Sequence, residues 1–300
     1  MTHPASLDRL LWWTHRSAPD HPQTKIIHTP VADVRVRDTS EERPTVVFLC
    51  DPPVMVEHYD ELIGEMGSDY RIVVAELPGF GFSKSHSTEA LGFQGSVSAV
   101  ESALSDLVPG SMVVCAPCVC GFVGAELVHR GKLNIAGLVL VQTPDLDGMV
   151  RWTERMDPNG RLRKPYLGQI LMRVGARRMT KKWFSYATAE GAQHATMAEK
   201  SLDVLSSGGS YPLATVFQIW GNELENHGLE IPALVIWGKQ DRSHEPTERT
   251  STLKHVPEAR LTEFGQCGHF PELEDPAAFA EEVVPFLREV FGQDEKDDAT

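Results

Sequence analysis

The 300-residue chain has no apolar run long enough to span a bilayer, so a membrane-spanning protein is not expected. Its first residues, M-T-H-P-A-S-L-D-R, lack the basic segment followed by an apolar one that a secretory signal needs. Positive charge is scarce: 28 Lys and Arg face 42 Asp and Glu, a net charge of −14 that disfavours nucleic acid as a partner. Internal repeats are lacking, and the one biased tract is the closing D-E-K-D-D-A-T. Cysteine is sparse and odd in number, at five, with Cys115, Cys118 and Cys120 within six residues. That pattern argues against a disulfide framework and for reduced thiols, so a cytoplasmic protein is expected.

What remains is an ordinary globular composition, 41% hydrophobic and 23% charged, long enough to bury a large core. Leu7, Leu10, Leu11 and Trp12 predict a short N-terminal helix. The continuous apolar run Thr45–Cys50 suits the interior of a parallel sheet, Tyr70–Ala75 reads as another strand, Ile135–Val141 and Ala233–Trp237 as two more buried strands, and Arg260–Phe264 as the last. Lys25–Ile27 and Val31–Val36 read as paired strands. Helical patterns lie between them, at His58–Met66, 93–107 and Pro276–Phe291. Strands alternating with helices predict an α/β fold, a mostly parallel central sheet flanked by helices. Residues 146–228 break the rhythm with a helical, aromatic-rich stretch, read as an inserted cap between core segments 1–145 and 229–292. Residues 293–300 are read as a disordered acidic tail.

The most informative stretch is M-V-V-C-A-P-C-V-C-G-F-V-G, from Met112. An apolar strand runs into a tight turn of small residues and then a helix, the context of a nucleophile elbow with Cys118 in the nucleophile slot. Pro117 pushes Ala116 towards extended backbone, as a strand end requires. Taken alone, Cys118 could equally be a buried small hydrophobe.

Four segments in order carry a resemblance to the capped α/β-hydrolase superfamily over about residues 25–291. They are V-V-F-L-C-D-P-P, A-E-L-P-G-F-G-F-S, the elbow A-P-C-V-C-G, and I-P-A-L-V-I-W-G-K-Q-D-R leading on to F-G-Q-C-G-H-F-P. The resemblance implies a triad: Cys118 as nucleophile, His269 as general base and then acid, and Asp241 orienting the imidazole. It also implies an oxyanion hole from the backbone at Val119 and at position 52. Position 52 is proline, which has no N–H to give, and Asp51 beside it brings a carboxylate near the developing charge. Asp51 is therefore also a candidate second acid or base.

The activity implied is cleavage of an ester, lactone or thioester through a thioester acyl-enzyme. The alternatives are an acyltransferase or cyclase using the same intermediate, and a non-hydrolytic or non-catalytic member that keeps the pocket for binding. No cofactor is expected. A metal on the cysteines is not expected either, because C-x-x-C-x-C in one tight turn aims its thiolates poorly. Cys50, Cys115, Cys120 and Cys267 read as small apolar filling and Ser83 as a structural hydroxyl, while His244, close enough to Asp241 in sequence to line the pocket, reads rather as a surface residue. Ten Lys or Arg against Glu154 and Asp157 give the stretch from Arg151 to Lys182, within the cap, a charge of +8. That is a solvated face, or a dock for an acyl substrate linked to an acidic carrier protein or to coenzyme A.

Overall fold

Side chains that point alternately to the two faces of the central strands, all of them buried, divide the core in two. A computed structural model describes residues 3–12, 17–40, 42–191 and 193–293. In chain order these form α1 (Ala5–Trp12), β1 (Thr24–His28), β2 (Ala32–Asp38), β3 (Thr45–Leu49), α2 (Asp60–Met66), β4 (Arg71–Ala75), β5 (Lys84–Ser85) and α3 (Phe93–Leu107). There follow β6 (Met112–Pro117), α4 (Val119–Arg130), β7 (Ile135–Val141), α5 (Leu146–Met156), α6 (Leu167–Ala187), α7 (Gln193–Ser206), α8 (Leu213–Ile219) and β8 (Ala233–Gly238). β9 (Arg260–Phe264), α9 (Pro271–Glu274) and α10 (Pro276–Phe291) close the chain. Beyond Gln293, the expected acidic tail lies outside the described residues.

The sheet order is β1-β2-β4-β3-β6-β7-β8-β9, with β5 pairing β2. From β4 to β9 all pairings are parallel, and β2 is antiparallel to its neighbours. Because side chains alternate across a strand, Val47, Leu49, Val114, Ala116, Leu138 and Leu140 point into one core. There they meet Val97, Val100 and Leu104 of α3 and Val123 and Leu127 of α4. Their neighbours Val46, Phe48, Val113, Cys115, Val139 and Val141 enter the other core, with Leu62 and Met66 of α2 and Phe279, Val283 and Leu287 of α10. Burial on both faces explains why these strands read as unbroken apolar runs.

Helices α5 to α8 fill the interval between β7 and β8. α6 carries exposed Arg173, Arg177, Arg178, Lys181 and Lys182. Two features fasten this helical layer. Asp8 of α1 accepts from the Thr215 hydroxyl of α8, and α6 sends the Arg173 guanidinium to Leu11 O at 3.0 Å and over the Trp12 ring. α7 grips the loop after β3: Ser201 Oγ donates to Pro53 O at 2.7 Å, and His58 Nε2 bonds Met197 O at 3.0 Å. Among the described residues no helix is long and apolar enough to cross a membrane.

Candidate active site

The turn between β6 and α4 is sharp enough to force Cys118 to φ +47°, ψ −119°. A non-glycine residue there costs about 1–3 kcal/mol and persists only where its surroundings fix it. Here the Cys118 N–H donates to Val141 O at 2.7 Å, and its carbonyl accepts from Gly121 N and from Thr143 Oγ1. Gly121 is obligatory, since a Cβ at that position would lie 2.2 Å from Thr143 Oγ1. The turn thus delivers the Cys118 thiol to the floor of a cavity of about 700 Å³ beneath the helical layer. Trp152, Trp183, Tyr186, Phe217 and Trp220 line the cavity, with Arg155, Arg163, Lys182 and Glu154 as its charged residues above the floor.

Asp241 follows β8 and His269 follows β9, and the chain brings them together in full burial. His269 Nδ1 lies 2.6 Å from Asp241 Oδ2, which also accepts from Gln142 Nε2 at 2.7 Å, while Oδ1 accepts from Ser243 N. Burial alone would raise the pKa of Asp241, but the His269 imidazole and these hydrogen bonds bring it down to about 2. The carboxylate is therefore ionised and holds the proton of His269 on Nδ1. Burial works against the charge on His269 too, yet Asp241 keeps its pKa well above the ordinary value. Glu274 pins the loop by accepting from Gly268 N, Phe270 N and Ala189 N.

Cys118 is 2% exposed, and its thiol is pushed up to about 11, by burial first and by the Asp51 carboxylate second. At neutral pH it rests as a thiol. Asp51 is buried as well, and burial raises its pKa against the pull of His269 and of the nearby Val119 N–H. Its Oδ2 lies 3.6 Å from His269 Nε2. The backbone N–H expected as a donor at Val119 thus has a carboxylate beside it, and Pro52, which also lines the cavity, offers none.

His244 corrects the sequence reading: it is 3% exposed, not a surface residue. The turn after Asp241 folds back, with His244 N on Asp241 O and Thr247 N on His244 O. That places the ring flat between Trp152 (5.5 Å, 15°) and His269 (5.4 Å, 28°), with Nε2 3.9 Å from Cys118 Sγ. Burial drops its pKa to about 3, so it is neutral. Its position three residues after Asp241 was the only signal in the sequence. Gln142, which also accepts from Gly238 N, gave none.

All five cysteines are free and buried. Cys50 and Cys115 pack in one core and Cys120 in the other, with Cys120 Sγ 3.4 Å from Cys50 O, whereas Cys118 lines the cavity. Ser83 bridges backbone, its hydroxyl accepting from Arg35 N and donating to Glu76 O. Ligand atoms of Cys118, His244 and His269 all lie within 4.8 Å of one another.

Known proteins bear on this geometry at three levels. In sequence, the chain is 36% identical over 72 residues to a 2-hydroxy-6-oxononadienedioate/2-hydroxy-6-oxononatrienedioate hydrolase of Burkholderia vietnamiensis, and 41% identical over 69 residues to a 2-hydroxymuconate semialdehyde hydrolase of Pseudomonas putida. These matches cover 24% and 23% of this chain and 24% of each relative, so the chain spans about a quarter of the length of the curated relatives it matches. In structure, epoxide hydrolase A from Mycobacterium thermoresistibile superposes with a TM-score of 0.74 at 14% identity, over 89% of this chain and 98% of the other. An esterase from Exiguobacterium antarcticum gives 0.67 at 15% identity, over 89% and 100%. Such identities speak for the fold. The family itself follows from a sequence model that matches residues 46–282, most of the chain and every segment that builds the site: this protein belongs to the alpha/beta hydrolase family.

Proposed function

We propose that this protein is a hydrolase in which Cys118 attacks an activated acyl carbon of an ester, lactone or thioester and forms a thioester acyl-enzyme. The observation that carries this reading is the strained Cys118 held at φ +47° on the cavity floor, within 4.8 Å of the His269 ring nitrogen. His269 takes the thiol proton as the sulfur–carbon bond forms and returns it to the leaving group; Asp241 keeps the imidazole oriented and stabilises its charge. Water then hydrolyses the acyl-enzyme, or an amine or alcohol intercepts it. The aromatic lining suits an apolar acyl part. The basic cap, with Lys182 and Arg163 at the cavity, suits delivery of the acyl group by an acidic carrier or coenzyme A.

A second reading rests on Asp51. A carboxylate that stands beside the Val119 N–H and faces His269 Nε2 favours proton transfer between Asp51 and His269 on a bound substrate, without an acyl-enzyme. Intact-mass spectrometry after exposure to an ester and thioester panel separates the two. An acyl adduct that peptide mapping places on Cys118 supports the first. Turnover that survives Cys118→Ala supports the second.

A further inference from the structure

We propose that Cys118, His244 and His269, with Asp51 as fourth ligand, form a binding site for a single zinc-class divalent cation. The expected absence of a metal was drawn from the five cysteines, and four of them take no part here.

Three observations converge. First, Sγ of Cys118 and a ring nitrogen of each histidine share one buried volume, with no pair further apart than 4.8 Å. Second, each imidazole is anchored through Nδ1, His269 on Asp241 Oδ2 at 2.6 Å and His244 on Thr247 Oγ1 at 3.1 Å. That leaves both Nε2 atoms turned inward, the way outer partners orient metal-binding histidines. Third, His269 Nε2 is fully buried and has no hydrogen-bond partner. Such an atom costs free energy unless something occupies the space before it.

The spacing suits a tetrahedral ion. With zinc–sulfur and zinc–nitrogen bonds of about 2.3 and 2.05 Å, S and N ligands lie about 3.6 Å apart, and N and O ligands about 3.3 Å. Cys118 Sγ to His244 Nε2 is 3.9 Å, and His269 Nε2 to Asp51 Oδ2 is 3.6 Å. The three ligands of Cys118, His244 and His269, up to 4.8 Å apart, reach these spacings by closing by up to about 1.2–1.5 Å, and Asp51 joins them from the His269 side. One thiolate, two imidazoles and one carboxylate are the donors that zinc takes, whereas calcium and magnesium want oxygen alone. The two anionic ligands also neutralise the dication in a site where burial makes an uncompensated charge costly. Coordination replaces the Cys118 S–H bond with a sulfur–metal bond and releases that proton to the buffer. A proton on His269 Nε2 leaves the same way.

The cation and the acyl-enzyme exclude each other, because both use the Cys118 sulfur and His269 Nε2. This consequence, an off-state held by the metal, rests on the function proposed above; the binding site does not.

The test uses the untagged full chain, stripped with chelator and titrated with Co²⁺ as the spectroscopic probe, then with Zn²⁺ as competitor. One equivalent should give the visible bands of a tetrahedral cobalt site and a thiolate-to-cobalt charge-transfer band. Cys118→Ser should lose the charge-transfer band, and His244→Ala, checked for fold by circular dichroism and replaced by His244→Gln if it misfolds, should weaken binding at least about tenfold. Zn²⁺ should displace the cobalt and block alkylation of Cys118. Absence of the charge-transfer band, its survival in Cys118→Ser, or unweakened binding in a folded His244 variant overturns the site. Thioester turnover by the stripped protein is read separately. Turnover without metal binding sinks the site and keeps the acyl-enzyme. Metal binding without any adduct on Cys118 keeps the site and sinks the acyl-enzyme.

Discussion

Replacing Asp51 by glycine perturbs the site where it departs most from its family. In the resting protein the Asp51 carboxylate stands beside the Val119 N–H, and Pro52 has no N–H to offer. An oxyanion forming at Cys118 therefore competes with a carboxylate for its one backbone donor and meets a negative charge close by. Asp51→Gly removes the charge and leaves the Val119 donor to the oxyanion alone, and one such donor is worth about 2.7–4 kcal/mol in acyl transfer. The kcat/KM for unactivated alkyl esters should rise by up to about 10²–10³. Pro52→Gly alone should gain less than about tenfold, because the carboxylate stays, and the double variant should gain at least as much as Asp51→Gly. A second readout is the pH profile. His269 must be neutral to accept the thiol proton, and its pKa is held high, against burial, by Asp241 and by Asp51 at 3.6 Å. The Coulomb coupling across that distance is about 5 kcal/mol at an effective dielectric of ~20, part of it offset by desolvation. Loss of Asp51 should move the rising limb of the profile down by about one to three pH units. The assay compares an alkyl ester with an aryl thioester, on variants whose circular dichroism and Tm match the wild type. A folded Asp51→Gly protein with no ester gain and an unmoved limb would refute the assignment of this loop.

Four further outcomes are expected. Iodoacetamide should label Cys118 alone among the five cysteines and more slowly in His269→Ala, by peptide mass mapping, while Cys118→Ala abolishes turnover and Cys118→Ser retains little; equal labelling of all five speaks against the assignment. Gly121→Ala should cost at least about 1–3 kcal/mol through the clash with Thr143 Oγ1, seen as a Tm lowered by several degrees, and an unchanged Tm would contradict the close approach. Glu272 is buried with both carboxylate oxygens unpartnered, and burial raises its pKa to about 8. The stability it contributes is complete below its unfolded value near 4.5 and drains away as pH climbs to about 8, so the Tm advantage of Glu272→Gln should grow between those pH values and then level off; a constant offset would exclude it as the titrating group. Finally, kcat/KM for a carrier-linked acyl thioester should fall steeply with salt while that for a small neutral ester barely moves, and identical salt profiles would remove the docking role of the basic cap.

Strands buried on both faces were legible because an unbroken apolar run such as Thr45–Leu49 has few other homes, and the elbow because its turn demands small residues in sequence. Asp241 and His269 were legible by resemblance, each following a strand, and the structure does seat them 2.6 Å apart. What stayed hidden depends on how loops fold back. The sequence places His244 near Asp241, but only the turn hydrogen bonds and the flat contact with Trp152, 92 residues upstream (244 − 152), bury it over the thiol. Pro52 could be read as a missing donor from its chemistry alone. That the neighbouring Asp51 carboxylate stands beside the other donor and 3.6 Å from His269 Nε2 required coordinates.

The grip of α7 on Pro53 has a mechanical consequence. Ser201 and His58 bolt that helix to the very loop that carries Asp51 and Pro52, and α7 packs along α6, whose Met179, Lys182 and Trp183 wall the cavity. On the acyl-enzyme proposal, displacing α6 to admit a bulky acyl chain drags on the loop beside Cys118. Room at the far end of the cavity and polarity at its floor are then mechanically one quantity.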